Sequence, residues 1–236
     1  MASVLPRGEE KRPRTAEELI LLLLDGSGSM SGKESQTGRV KAESVIYHLV
    51  RQQQGDSRDT GSLLQRLKAS SNRDRFWLSV ITFDNRIDVA LHPRRLEQVV
   101  PEDLDIDLLG KHGDLTAIGH ALTTAHQIAQ SWLDDADPLI PRFATILLMS
   151  DGQETVGSDP VGVAQTIKKN TSNELGRPQI AIATAAYGDD ADGATLSAIA
   201  SQRADGSPMF ARVDTGAQLR DFFMESISSA ALAVTA

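Results

Sequence analysis

The stretch that decides the fold is Glu17–Ser29, "EELILLLLDGSGS". A continuous apolar run stops at one acid, and two glycines and two serines follow. A run without polar–apolar alternation suits a central parallel strand buried on both faces. The oxygen-bearing residues beyond it have two readings. They are turn chemistry, in which Asp and Ser bond their own backbone, or they are one wall of a ligand cage. The pattern recurs at "RFATILLMSDG" (Arg142–Gly152), where an apolar run again ends in Ser-Asp-Gly.

Working outward, "RVKAESVIYHLVRQQ" (Arg39–Gln53) carries apolar residues near helical spacing, and "SLLQRLKAS" (Ser62–Ser70) reads as a second short helix. "RFWLSVITFDNRIDVAL" (Arg75–Leu91) is two β-rich runs joined by Asp84–Asn85, the signal of a hairpin. Residues 94–112 read mostly as loop. A helix is expected from Thr116, in "TAIGHALTTAHQIAQSWL", and another in "DPVGVAQTIKKN", with Pro160 near its start. "QIAIATAAYGDD" is a buried strand, "GATLSAIASQRA" a helix, "PMFARVD" a strand and "GAQLRDFFMESISSAALAV" a closing helix. Strands alternating with helices predict an α/β fold: a doubly wound, mostly parallel sheet with helices on both faces. The hairpin adds one antiparallel edge strand. The expected organisation is an N-terminal arm over 1–16, one domain over 17–231 and a short tail over 232–236.

Composition narrows the function. With 236 residues, 40% of them hydrophobic and 24% charged, the chain is an ordinary globular sequence able to bury a core. The net charge of −8 argues against nucleic acid or an anionic membrane as the main partner. There are no cysteines, hence no disulfides and no thiolate metal sites. The first residues show no apolar leader, and "LILLLL" is too short to span a bilayer. The expected location is the cytoplasm.

In an open α/β sheet, ligands bind beyond the carboxyl ends of the strands. Three segments bring oxygen side chains to that edge: Asp25, Ser27 and Ser29 after the first strand, Thr116 at the expected helix start, and Asp151 after "ATILLMS". Two carboxylates and three hydroxyls make an all-oxygen set that suits Mg²⁺ or Mn²⁺, with Ca²⁺ as an alternative. Gly26 and Gly28 would let the backbone bend so that both serines point inward. Singly, each residue has an ordinary reading, with Thr116 as a helix N-cap and Asp151 as a turn residue. Jointly they read as a site. Two acids do not fully quench a divalent ion bound by hydroxyls, so such an ion would favour an acidic group from elsewhere.

These segments carry a resemblance. "DGSGSM" resembles the D-x-S-x-S motif of von Willebrand factor type A domains. "GDLTAIGHAL" resembles their glycine–threonine loop, and "LLMSDGQET" their third motif, where Asp follows a buried strand. Together these make up the metal-ion-dependent adhesion site, MIDAS. The likeness extends over nearly the whole chain, through "SVITFDN", "AAYGDDAD" and "MFARVDTGAQLRDFF". It implies a strand order of 3-2-1-4-5-6 with the third strand antiparallel. It also implies that Ser27, Ser29 and Thr116 bind the metal directly while Asp25 and Asp151 act mainly through water. The sequence departs from the pattern in an insertion over Gly55–Ser71 and in Asp114, where many members have a second glycine. "GSMSGK", "SVITFDN" and the single-domain length look like intracellular bacterial members of tellurium-resistance and stress operons. Those are linked to AAA-type ATPases, kinases and phosphatases.

Other candidates are weaker. "GDDADG" (Gly188–Gly193) lacks the first acid and the twelfth-position Glu of an EF-hand. His120 and His126 share a helix at a spacing that puts them on different faces, and no histidine pair has zinc-type partners. Asp25, Ser27 and His120 offer the residue types of a hydrolase triad, but there is no G-x-S-x-G elbow. Arg58, Arg66, Lys68, Arg73 and Arg75 cluster around the insertion, as a solvated face or a docking surface. Phe76 and Trp77 are expected in the core. The expected function is a non-enzymatic, metal-dependent protein-binding module in which a partner's Asp or Glu completes the coordination of Mg²⁺. The alternatives are a metal-assisted phosphohydrolase, with Asp114 or Glu154 as base, and a scaffold with a purely structural metal.

Overall fold

Glu17–Asp25 forms β1, and all nine of its residues are buried. The computed structural model describes residues 16–51, 61–110, 113–137, 139–170 and 179–235. The expected arm over 1–16 lies outside the described residues apart from Ala16, and residues 52–60 of the insertion region lie outside them too. The unbroken apolar run of β1 has a direct cause, because both of its faces are covered. Ile20, Leu22 and Leu24 enter one core layer with Val45, Leu49, Leu64 and Phe223. Leu19, Leu21 and Leu23 enter a second layer with Ala121, Leu122, Ile167 and Leu196. Each fully buried leucine contributes about 1.5–3 kcal/mol, so alternation would have left half of that gain in water.

The other strands are β2 (Phe76–Phe83), β3 (Ile87–Arg95), β4 (Arg142–Ser150), β5 (Ile180–Tyr187) and β6 (Phe210–Val213). They form one six-stranded sheet in the order β3-β2-β1-β4-β5-β6. All pairings are parallel except β2 with β3, which makes β3 the antiparallel edge strand. The helices are α1 (Lys41–Leu49), α2 (Leu63–Ala69), α3 (Ile118–Asp134), α4 (Pro160–Asn170), α5 (Gly193–Ile199) and α6 (Gly216–Thr235). Residues of α1, α2 and α6 fill the first core layer and residues of α3, α4 and α5 the second. No helix among the described residues is long and apolar enough to cross a membrane.

Three local expectations shift. The helix expected over Arg39–Gln53 is confined to α1 in the described residues, because Val40 is still extended and bridges Lys33. The hairpin turn has three residues, not two, since Phe83 pairs with Ile87. Asp84 shapes it, its buried carboxylate accepting from the Arg86 amide at 2.6 Å. Residues 94–112 are not all loop: β3 runs on through Pro93 to Arg95. An edge strand has an unpaired row of backbone groups, so a missing N–H there costs no ladder bond. The short helix at the insertion starts with a capping box between Ser62 and Gln65.

The two edges of the sheet differ. At the amino edge, Glu17 receives Arg95 at 2.8 Å and Arg142 at 2.9 Å. Arg95 stacks over Trp77 at 4.8 Å and Arg142 over Trp132 at 4.6 Å. Next to it, Glu18 is wholly buried and accepts from Thr145 Oγ1 at 2.8 Å. The carboxyl edge is lined instead by short polar loops. β1 lies between β2 and β4 there, and the connection leaving β1 runs to one side while that leaving β4 runs to the other, which is the switch point where such sheets form a crevice.

Candidate metal centre

Asp25 closes β1 at this switch point. The first residue after it is tied to β2, with the Gly26 amide donating to the Phe83 carbonyl at 2.8 Å. The Asp25 carboxylate is fully buried and both oxygens are engaged. Oδ1 accepts from the Ser27 amide at 2.8 Å and Oδ2 from the Ser150 hydroxyl at 2.5 Å. The turn reading of "DGSGS" is therefore true of Asp25, whose Oδ1 organises the next two residues. Burial pushes the carboxyl up to about 6, the hydrogen bonds from Ser150 and Ser27 pull it back, and the nearby Asp151 charge adds to the rise.

The chain then makes a 3₁₀ turn over Gly28–Ser31. This turn brings the Ser27 and Ser29 hydroxyls within 3.1 Å of each other. Ser29 donates to Asp151 Oδ1 at 2.5 Å, joining the β1 loop to the β4 loop. Thr116 reaches the same place from a third segment. A Cβ placed on Gly152 would lie 3.1 Å from Thr116 Oγ1 and 3.9 Å from Ser29 Oγ. Gly152 thus keeps open the space that the two hydroxyls border. The Thr116 hydroxyl makes no hydrogen bond among the described residues, although the residue is buried.

Thr116 does not cap α3. The helix starts two residues later and its N-cap is Ala117, which offers no side-chain bond. Thr116 is held instead by Thr155, whose hydroxyl accepts from the Thr116 amide at 2.8 Å and whose amide donates to the Thr116 carbonyl at 3.0 Å. The helix end is capped from outside: Glu154 Oε2 accepts from the Gly119 amide at 3.1 Å, and Oε1 from Val156 at 3.1 Å. A carboxylate at a helix N-terminus is favoured by the exposed amides and the helix dipole. On the other side Asp84 accepts from the Gly113 amide, and its carbonyl takes the Ala117 amide at 2.8 Å. Asp84 and Glu154–Thr155 therefore clamp the Thr116 loop from both sides.

These positioning residues were not legible as such. Asp84 had a signal, since like Asp25 and Asp151 it is an acid at the carboxyl end of a buried strand. Lys41, whose ammonium meets Asp151 Oδ2 at 2.7 Å, had none. Neither had Glu34, which accepts from the Tyr187 hydroxyl, from Thr37 and from the Gly216 amide, tying the first loop to β5 and α6.

The other candidates separate from the site. Asp114 is exposed and lies against Gly28, where a Cβ would stand 2.5 Å from its Oδ1. His120 is exposed on α3, and no hydrogen bond among the described residues links it to Ser27. Asp192 caps α5 through the Thr195 amide at 3.1 Å. Of the basic set, Arg66 pairs with Asp221 and Lys68 donates to the Val99 carbonyl, while Arg58 lies outside the described residues. Phe76 is buried and Trp77 half-buried, edge-on to Trp132.

The donors decide which ions this edge suits. Among the described residues no three of His, Cys, Asp and Glu gather into a metal-binding group. A cation here would therefore rely on hydroxyls, with no nitrogen or sulfur donor. Hard ions that accept neutral oxygen fit that set.

Compared with known proteins, residues 20–225 match the von Willebrand factor type A domain family. No curated protein matches the chain by sequence. Among solved structures, proximal thread matrix protein 1 from the mussel byssus superimposes with a TM-score of 0.66 at 15% identity, over 92% of this chain and 49% of that one. The same mussel protein with a zinc-occupied MIDAS motif gives 0.65 at 15% identity, over 92% and 49%. The conserved hypothetical protein BatB from Bacteroides thetaiotaomicron gives 0.56 at 18% identity, over 92% and 100%. The chain spans about half the length of the mussel protein, and at these identities the likeness is one of fold.

Proposed function

Because this chain belongs to the von Willebrand factor type A domain family, we propose that it is a metal-dependent protein–protein interaction module. In this reading Ser27, Ser29 and Thr116 ligate a divalent cation directly, and Asp25 and Asp151 hold it through water. The cation is Mg²⁺, with Mn²⁺ and Ca²⁺ as alternatives, and when bound it supplies a Lewis-acidic position for a partner's Asp or Glu. The carrying observation is the convergence of the Ser29 and Thr116 hydroxyls, from distant segments, on the space kept clear by Gly152, with the Ser27 hydroxyl 3.1 Å from that of Ser29. The engagement of both carboxylates by the chain's own donors supports their indirect role. The mussel structure with zinc in its MIDAS motif supports a metal at this edge.

The finer reading is an adaptor or regulator in a bacterial cytoplasmic stress or conflict system, its partner an AAA-type ATPase or a kinase–phosphatase pair. The lack of cysteine and the net charge of −8 accord with it. The domain in this reading covers 17–231. The test is calorimetry against the partner with Mg²⁺ and with EDTA, using wild type and the Asp25→Ala/Ser27→Ala double variant. Binding is expected only for wild type with metal, and equal affinity in all four cases sinks the proposal. Metal removal that lowers the melting temperature but leaves affinity intact would mark a structural metal.

Asp114 supports a second reading, metal-assisted phosphohydrolysis, as an exposed carboxylate beside Gly28. Glu154 is a poor base, since both of its oxygens already accept backbone amides. Phosphoester turnover that needs both metal and Asp114 would favour this reading; its absence favours the binding module.

A further inference from the structure

We propose that Lys41 is a built-in counter-cation of the metal centre, loosening its grip on the divalent ion while raising the loaded site's preference for an anionic partner group. This rests on the metal-site reading above. Lys41 opens α1, and its amide donates to the Gly32 carbonyl at 2.8 Å. Its ammonium reaches Asp151 Oδ2 at 2.7 Å, with the lysine side chain 13% exposed and the aspartate side chain 1%.

Two glycines border the lysine's path, Gly188 tightly and Gly32 at ordinary contact distance. A Cβ on Gly188 would lie 3.3 Å from Nζ and 3.5 Å from Cε, and one on Gly32 would lie 3.8 Å from Cε. Gly188 has φ +85°, a conformation that other residues adopt only at a cost. This is a lysine seated in a groove against the site, unlike a surface lysine sampling water. Nearby Glu34 does not compete for it, being engaged by Tyr187, Thr37 and Gly216.

Counting charge gives the consequence. Asp25 and Asp151 formally balance a divalent ion, so the cluster adds no net charge to the ion's own incompletely quenched pull on a further anion. With Lys41 the same groups sum to −1 before loading and +1 after it. A fixed charge in a buried setting is weakly screened, so it repels the ion and attracts an incoming carboxylate. The plain alternative is that Lys41 only pins Asp151 in place. The two differ in sign: losing a pin weakens metal binding, and losing a counter-cation strengthens it.

The test uses the full chain as wild type, Lys41→Met and Lys41→Arg, with Mn²⁺ affinity read by electron paramagnetic resonance. Acetate is then titrated onto the Mn²⁺-saturated protein, and loss of metal-bound water is followed by water-proton relaxation. Lys41→Met is expected to bind Mn²⁺ about tenfold tighter, the change that about 1.4 kcal/mol produces, and to bind acetate several-fold more weakly. Lys41→Arg is expected to stay near wild type in both. Lys41→Gln is a second uncharged replacement should methionine not fold there, as judged by circular dichroism. Unchanged or weaker Mn²⁺ binding without the charge overturns the proposal, and so does unchanged acetate affinity. A wild type that binds no Mn²⁺ overturns the metal-site reading itself, a result distinct from either.

Discussion

Replacing Glu18 with glutamine should make the protein more stable at alkaline pH. Glu18 is wholly buried on β1, and Thr145 donates to its Oε1, while Oε2 has no partner among the described residues. Burial pushes its carboxyl from 4.5 up to about 8, against the smaller opposing pull of the Thr145 hydrogen bond and the Arg75 charge. Between those two values the folded chain keeps the proton that the unfolded chain gives up. Unfolding then releases a proton, so the Glu18 contribution is fully present below pH 4.5 and is lost as pH rises to about 8. At 1.36 kcal/mol per pH unit the loss reaches about 4–5 kcal/mol as an upper bound, and relaxation around a buried charge lowers it to roughly 2–4 kcal/mol. Glutamine keeps the shape and the acceptor for Thr145 but does not titrate. Urea unfolding of both proteins from pH 5 to 9 is the assay, with the other titrations cancelling in the difference. The variant should match or trail wild type near pH 5 and exceed it by a few kcal/mol near pH 9. Stability curves that stay parallel across this range would refute the reasoning.

Three further outcomes are expected. Gly152→Ala puts a methyl 3.1 Å from Thr116 Oγ1, so Mn²⁺ affinity should fall at least about tenfold while the metal-free melting temperature changes little. Mg²⁺ at a hundred times its dissociation constant should stabilise the wild type by about 2.7 kcal/mol, raising the melting temperature by roughly 5–10 °C, with EDTA reversing the shift in a thermal melt. Ser62→Ala removes the capping box of α2 and should cost about 1 kcal/mol in urea unfolding, with Mn²⁺ affinity unchanged.

What could be read from the sequence was whatever leaves a local pattern. β1 and β4 are buried on both faces, and that alone dictates continuous apolar runs ending where the chain meets solvent. Their shared ending, an acid followed by glycine, pointed to Asp25 and Asp151 together. Relations between distant residues leave no such trace. Lys41 lies 110 positions from Asp151, and Glu154 lies 35 from the amide it caps, so neither spacing carries a period. The start of α3 was misplaced for the same reason: a threonine before a helical run looks like a cap, but here Thr155 claims its backbone. β3 ran past its expected end because a proline that breaks a central strand is tolerated at an edge.

The 2.5 Å contact between Ser29 and Asp151 also sets how the serine presents itself. Its hydrogen is parked on the carboxylate, so its lone pairs are directed elsewhere and the oxygen is polarised by the negative charge behind it. Such a hydroxyl acts as a neutral donor with borrowed charge. An arriving cation can take that oxygen without expelling a proton and without breaking the bond to Asp151. The carboxylate makes itself felt at one remove, through an O–H that can be repolarised in place. In the proposed metal-site reading, neutral ligands of this kind would hold an ion without quenching it, and the loop following β1 would supply them.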